Sequence, residues 1–261
     1  MSGAARGVKA SPDARTLDRR QDVGFVGRMQ PVASKPKTFK PKTLPKPEDL
    51  AADRARALAL TPVSRETADR LDRYLTLLLD WQTRMNLVAA STLPQLWTRH
   101  VADSLQLLPL APQAKTWVDL GSGAGFPGLV VACALAESAG VQIHLVESIA
   151  KKAAFLTAAV AAAGAPAVVH HMRIEDFTRR GGVRPDIVTA RALAPLPRLL
   201  ELAAPLLKSG AQGLFLKGQD VGAELTEAAK YWTLQATSVP SRTSGEGRIL
   251  VVQGAQRRPG V

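Results

Sequence analysis

Val118-Asp119-Leu120-Gly121-Ser122-Gly123-Ala124-Gly125-Phe126-Pro127-Gly128 is the stretch of this chain whose residue types point most directly to ligand chemistry. Glycines at alternate positions let the backbone turn sharply and let a ligand approach the main chain with no Cβ in the way. Pro127 suits a first helical turn, where its missing N–H has no intrahelical partner to lose. The loop follows a short apolar run and precedes residues at helical spacing, which predicts a strand-loop-helix unit with amides facing a ligand.

The spacing narrows the ligand. A dinucleotide fingerprint, Gly-x-Gly-x-x-Gly, would need glycine where Phe126 stands. Gly121, Gly123 and Gly125 give Gly-x-Gly-x-Gly, a form typical of S-adenosylmethionine binders. No Gly-Lys-Ser/Thr ending follows, which argues against a triphosphate P-loop. The bland alternative is a glycine-rich turn that holds nothing.

Other residues fall at positions where the same chemistry needs them. Glu147 ends the run Ile143-His144-Leu145-Val146 and is placed to accept from ribose hydroxyls. It also suits the start of the following helix, where the dipole favours an acid. Ile174 and Glu175 follow a third predicted strand and can offer an apolar face and a polar edge to an adenine ring; the competing reading is a solvated loop. Arg191 follows the fourth strand, at the sheet edge where ligands bind in open α/β folds, and can orient a carboxylate, a phosphate or a base, or pair with a structural acid. Lys217 ends the fifth strand on the same edge, as a phosphate or substrate contact or as a surface lysine. No catalytic base is assigned.

Elements must position these groups. From Thr116 onward short apolar strands alternate with Ala-rich helices, which predicts a mostly parallel sheet covered on both faces. Strands are expected at 116–120, 141–147, 167–170, 186–190, 211–217, 231–239 and 248–253. Helices are expected at 127–137, 150–163, 195–207 and 220–230. The turn-rich segment 240–247 predicts that the last two strands form an antiparallel hairpin. Ahead of the sheet, Leu71, Tyr74, Leu75, Leu78 and Leu79 repeat at helical spacing behind a Ser64 N-cap, and residues 100–108 do so again. The expected organisation is a disordered Pro/Lys-rich tail at 1–49, a helical lead-in at 50–112, an α/β domain at 113–254 and a flexible end at 255–261.

Composition bounds the partners. The chain of 261 residues has a formal net charge of +12, and residues 1–50, with 11 Lys+Arg against 5 Asp+Glu, carry half of it. Such a charge attracts polyanions, nucleic acid first. The tail reads as an RNA-engaging arm, as a solubilising extension or as the product of an upstream start codon with Met29 the alternative start; Asp13, Asp18 and Asp22 count against a mitochondrial transit peptide. No apolar run long enough to span a bilayer and no secretory h-region is present, so a soluble cytoplasmic protein is expected. One cysteine, Cys133, excludes an internal disulfide framework and a multi-cysteine zinc site, and its apolar surroundings predict a buried structural thiol. No metal, no membrane and a monomeric state are expected.

Taken together, Trp81-Gln82-Thr83-Arg84-Met85-Asn86-Leu87-Val88-Ala89, His100-Val101-Ala102-Asp103-Ser104-Leu105, the glycine loop, Glu147-Ser148 with Lys151-Lys152 and Phe155-Leu156, Ala190-Arg191-Ala192 and Lys217-Gly218 resemble the bacterial 16S rRNA guanine-N7 methyltransferase family from about Leu71 to Val252. The resemblance implies a Rossmann-like S-adenosylmethionine-dependent methyltransferase fold with a seven-stranded sheet. It implies cofactor binding by Gly121, Phe126, Ile174, Glu175 and Arg191, with Glu147 near the ribose. The implied reaction is methylation of N7 of guanine 527 in the decoding-region loop of 16S rRNA within the small ribosomal subunit. Asn86, His100, Asp103 and Ser104 are implied to face the cofactor or substrate cleft, although a lone His or Asn on a helix is often a core or capping group. The long basic N-terminus departs from the short one usual in the family.

Overall fold

The computed structural model describes residues 44–260. Most of the expected tail lies outside the described residues, but α1 (Pro47–Leu60) already begins within its last three positions. Proline at the first helical position and Glu48 and Asp49 in the first turn favour that start. Helix α2 (Arg65–Gln82) follows, its first turn capped by Ser64, whose hydroxyl accepts from the Thr67 amide at 3.2 Å. A 3-10 segment (Ala90–Gln95), a π-helical turn (Trp97–Ala102) and the short α3 (Asp103–Leu105) complete the lead-in.

Seven strands then form one sheet in the order β3-β2-β1-β4-β5-β7-β6. They are β1 (Thr116–Leu120), β2 (Gln142–Glu147), β3 (Ala167–His171), β4 (Ile187–Arg191), β5 (Gln212–Lys217), β6 (Trp232–Pro240) and β7 (Arg248–Arg257). The first five pair in parallel, and β7 lies antiparallel between β5 and β6. The expected hairpin is present, with its second strand inside the sheet and its first at the edge. Strand β7 runs on to Arg257, opposite Trp232, so residues 255–257 belong to the sheet and not to a flexible end.

Helices α4 (Gly128–Ala134), α5 (Ala150–Ala163), α6 (Ile174–Arg180), α7 (Leu196–Lys208) and α8 (Val221–Ala228) connect the strands. Two cores result, because alternate side chains of a strand point to opposite faces. Trp117, Ile143, Leu145, Leu214, Leu216, Ile249 and Val251 meet α2, α4, α5 and the lead-in on one face. Val118, Leu120, Val146, Val188, Phe215, Leu250 and Val252 meet Phe177 and α7 on the other. The lead-in thus shares a core with α4 and α5, and the expected boundary at 112/113 separates no independently packed unit.

Two arginines of α2 fasten that layer. Arg73 donates to the Ala162 and Ala163 carbonyls at 2.9 and 3.1 Å, and Arg70 donates to the Gly164 carbonyl at 3.0 Å. These carbonyls close the C-terminus of α5, where the helix dipole favours a cation. Among the described residues no helix is long and apolar enough to cross a membrane.

Two buried carboxylates organise the sheet edge and the lead-in. Asp53 of α1 is fully buried and accepts from the Trp97 and Thr98 amides at 2.8 and 3.1 Å and from the Thr98 hydroxyl at 2.6 Å. It satisfies donors at the start of the π-helical turn that no intrahelical carbonyl reaches. Asp119 of β1 accepts from the Thr189 hydroxyl at 2.8 Å and the Gly128 amide at 3.3 Å, tying β1 to β4 and to the start of α4. Gly128 is required there, since a Cβ would lie 2.6 Å from that of Asp119. Burial pushes the Asp119 carboxyl up to about 6, against the hydrogen bonds from Thr189, Ser122 and Gly128 that pull it down.

Asp53→Ala strands two amides at the start of the π-helical turn and is expected to lower stability by about 2–3 kcal/mol in urea unfolding; a loss below about 0.5 kcal/mol contradicts that role. Because the folded Asp119 holds its proton more tightly than the unfolded chain does, this group favours the native state increasingly as pH falls through 6. The stability of the wild-type protein relative to Asp119→Asn is therefore expected to rise by about 1 kcal/mol between pH 7.5 and pH 5. A pH-independent difference in parallel urea titrations overturns the assignment.

Candidate active site

The glycine loop crosses the C-terminal edge of the parallel strands, where β1 gives way to α4. The Gly121 and Ser122 amides donate to the Val146 carbonyl at 2.9 and 3.0 Å, which binds the loop to the end of β2. Gly121, Gly123 and Gly125 all have positive φ. At Gly125, with φ +99°, a Cβ would also stand 2.8 Å from the Tyr74 hydroxyl, so only glycine fits. That hydroxyl, from α2, donates to the Ala124 carbonyl. Tyr74, Phe126 and His100 form a buried aromatic floor, with Phe126 centred 5.6 Å from Tyr74 and 4.7 Å from His100.

Glu147 reaches the loop as its position at the end of β2 requires. Its carboxylate is buried and accepts from the Gly123 amide at 2.9 Å and the Ile149 amide at 2.7 Å. Each oxygen retains acceptor capacity, so the ribose reading and the helix-start reading hold together in geometry. Ile149 beside it is 52% exposed, a large apolar side chain next to the loop that the sequence reading passed over. The Met172 amide donates to the Glu147 carbonyl at 3.2 Å and brings the turn before α6 alongside. Ile174 begins that helix, a short element in place of the expected solvated loop. The Glu175 carboxylate pairs with Arg198 at 2.7 Å.

Beside the loop lies a cleft of about 870 Å³, walled by Arg99 and Asp103 of the lead-in, by residues 191–195 and 216–220 after β4 and β5, and by the 241–248 segment joining β6 to β7. Leu193 belongs to both regions: it lines the cleft, and a Cβ on Gly121 would come 2.6 Å from its Cδ1. Ala192 next to it has φ +50°, a conformation that costs a non-glycine residue about 1 kcal/mol or more and is concentrated at functional sites.

The charged residues expected at this edge differ in what holds them. Arg191 donates to the Arg99 carbonyl at 2.9 Å, stands 3.9 Å from Asp103, and leaves a buried Nη1 with no partner. Burial lowers its pKa, with Asp103 opposing. A buried guanidinium nitrogen with an unmet donor in a ligand-sized cleft fits an anionic or carbonyl-bearing group. Lys217 is nearly buried, bound to the Glu224 carboxylate at 2.5 Å and the Ala194 carbonyl at 3.1 Å. Glu224 also accepts from the Leu196 amide at 2.6 Å. Lys217 is thus not a surface lysine; it lines the cleft and braces the turn after β4.

The four lead-in residues separate. His100 is buried, hydrogen-bonds with the Thr92 hydroxyl at 2.9 Å, and is pushed down to about 3 by burial and by Arg191 and Arg99, so the imidazole is neutral. Asp103 lines the cleft. Asn86 is exposed at the turn after α2. Ser104 does not face the cleft: it is fully buried and donates back to the His100 carbonyl at 2.6 Å, as serines in helices do when no external partner is near. Cys133 is fully buried, and burial pushes its thiol up to about 12, which leaves it a packing group. Among the described residues no cluster of three or more His, Cys, Asp or Glu side chains is arranged to hold a metal ion. Tyr74, Asp119 and Leu193 carry the loop without having been singled out; Asp119 was legible as the acid two residues before the first glycine, whereas Tyr74 and Leu193 reach the loop only through the fold.

Comparison with known proteins agrees with this geometry. A family described as rRNA small subunit methyltransferase G matches residues 67–251. A protein of Bradyrhizobium sp. (strain ORS 278) named ribosomal RNA small subunit methyltransferase G is 61% identical over 210 residues, covering 80% of this chain and 95% of the relative. One of the same name from Bradyrhizobium diazoefficiens is 52% identical over 256 residues, 98% of both chains, so the N-terminal extension is shared with at least one relative. Among solved structures, an O-methyltransferase from Bacillus cereus in complex with S-adenosylhomocysteine superposes with a TM-score of 0.51 at 13% identity, covering 78% of this chain and 97% of that one. The O-methyltransferase TomG of Streptomyces achromogenes, in complex with S-adenosylmethionine, gives 0.50 at 15% identity, covering 78% and 96%. These structures share the Rossmann-like methyltransferase fold, and the match over residues 67–251 places the chain in the rRNA small subunit methyltransferase G family.

Proposed function

We propose that this enzyme, an S-adenosylmethionine-dependent rRNA methyltransferase by its family, methylates N7 of guanine 527 in the decoding-region loop of 16S rRNA, acting as a cytoplasmic monomer. The observation that carries the reading is the adjacency of two sites across Leu193: a glycine loop closed by Glu147 and a separate cleft with an unmet guanidinium donor.

When bound, S-adenosylmethionine supplies a sulfonium methyl group. Guanine N7 offers a lone pair and carries no proton, so no general base is needed at the reacting atom. The residues of this chain have to orient the reactants instead. The Gly121–Gly125 backbone and the Glu147 carboxylate hold the cofactor, with Ile149 and Ile174 as apolar surfaces for its base. Phe126, resting on Tyr74 and neutral His100, stiffens the loop from below. Arg191 lines the cleft with one guanidinium nitrogen left unpartnered, and Arg99 and Arg248 stand among the acids Asp220 and Glu246 along the cleft walls. A guanine must leave its stack to enter, because the A-form major groove hides N7; an rRNA loop permits that.

The test is methyl transfer from labelled S-adenosylmethionine to small ribosomal subunits of a strain lacking this protein, followed by mapping of the modified base. Label at N7 of that guanine is expected. Label at another position overturns the target, and an absence of label despite cofactor binding overturns the substrate. Glu147→Ala is expected to weaken S-adenosylmethionine binding at least about tenfold in calorimetry, since it removes a buried carboxylate acceptor. Unchanged affinity excludes Glu147 from the cofactor site.

A further inference from the structure

The wall of the cleft formed by the loop between β6 and β7 is fastened by a side chain that does not itself line the cleft. Gln106 is buried behind α3, with its amide nitrogen 2.7 Å from Asp103 Oδ1 and 3.1 Å from the Ser241 hydroxyl. Its amide oxygen accepts from the Arg242 backbone N–H at 2.9 Å. The same Asp103 oxygen accepts from the hydroxyls of Thr243 at 2.7 Å and Ser241 at 3.2 Å. The Ser241 amide in turn donates to the Gly247 carbonyl at 2.9 Å, closing the loop on itself.

Such a network is specific in direction. Asp103 presents an acceptor, the two hydroxyls supply donors, and the Gln106 side-chain amide offers a donor to the acid and an acceptor to a backbone N–H from two separate atoms. Two polar residues of the lead-in therefore hold a loop more than 130 positions away in the chain, and that loop carries Arg242 and leads into Arg248 at the start of β7. Loops on one rigid scaffold commonly supply substrate contacts, and here the scaffold reaches over to grip the loop.

We infer that Gln106, acting with Asp103 and Thr243, is a positioning residue for rRNA: it holds the 241–247 loop as one wall of the acceptor cleft and contributes nothing to cofactor binding. The inference rests on the cleft being the acceptor site. It also gives Asp103 a different part from the direct substrate contact that the resemblance implies. The Oδ1 atom is fully engaged by the loop, and Oδ2 lies toward Arg191.

The experiment uses the full chain with Gln106→Met, which keeps volume and removes the polar contacts, and independently Thr243→Val. Steady-state methylation of unmethylated small subunits gives KM and kcat, calorimetry gives S-adenosylmethionine affinity, and hydrogen exchange reports the 241–247 amides. The expected result is a rise of about tenfold in KM for subunits in either variant, with kcat and cofactor affinity within about twofold and faster exchange in the loop. Thr243→Ser, which retains the donor, is expected to restore the wild-type KM. Faster loop exchange with an unchanged KM overturns the inference, as does a matching loss of cofactor affinity, which would mark the network as general scaffolding. If Gln106→Met does not fold, Thr243→Val decides by the same readouts. Failure of the wild-type protein to methylate small subunits overturns the functional reading itself and is distinguishable from failure of the variants alone.

Discussion

Backbone amides and carbonyls of the Gly121–Gly128 segment leave the regular strand ladder, and groups from three elements satisfy them. Val146 takes the first two amides, Glu147 takes that of Gly123, Asp119 takes that of Gly128, and the Tyr74 hydroxyl reaches the Ala124 carbonyl. Those partners come from β2, β1 and α2. An unpaired buried amide costs about 1–3 kcal/mol, so the loop can exist in this shape only where all three elements are in place.

That requirement gives the lead-in its purpose. Helix α2 supplies Tyr74 and binds the end of α5 through Arg70 and Arg73, while α1 supplies Asp53 to the π-helical turn that bears Arg99 and His100. The lead-in is therefore part of the methyltransferase core, building the floor of one site and a wall of the next. Burial at this junction also sets the protonation states. His100 is neutral because it is buried and two arginines lie nearby, and Asp119 holds its proton unusually well because its hydrogen bonds do not fully replace water.

The glycine loop and the cleft beside it thus have different physical origins. The first is built from backbone geometry held by the Asp119 and Glu147 carboxylates and the Tyr74 hydroxyl. The second is assembled from the lead-in, from the ends of β4 and β5, and from the β6–β7 loop. A family with a shared cofactor can keep the first while the second defines the acceptor.

What the sequence by itself determined follows the range of the interactions involved. The periodicities behind β1 at Thr116–Leu120 and α5 at Ala150–Ala163 are local, and both elements form over those residues. The Gly-x-Gly-x-Gly loop and Glu147 are likewise legible, because the chemistry lies within one βαβ unit. Helix α6, at seven residues, is too short for periodicity to distinguish from a loop, and the extension of β7 to Arg257 depends on pairing with Trp232 across the sheet. Only the tertiary structure decided which polar groups face a ligand. Ser104 and Asp103 are neighbours in the sequence, yet one turns into the core and the other grips a loop 138 residues away. Lys217 likewise became a buried partner of Glu224 instead of a surface charge. Side-chain direction at such positions is set by where distant donors and acceptors meet, and no spacing along the chain encodes that.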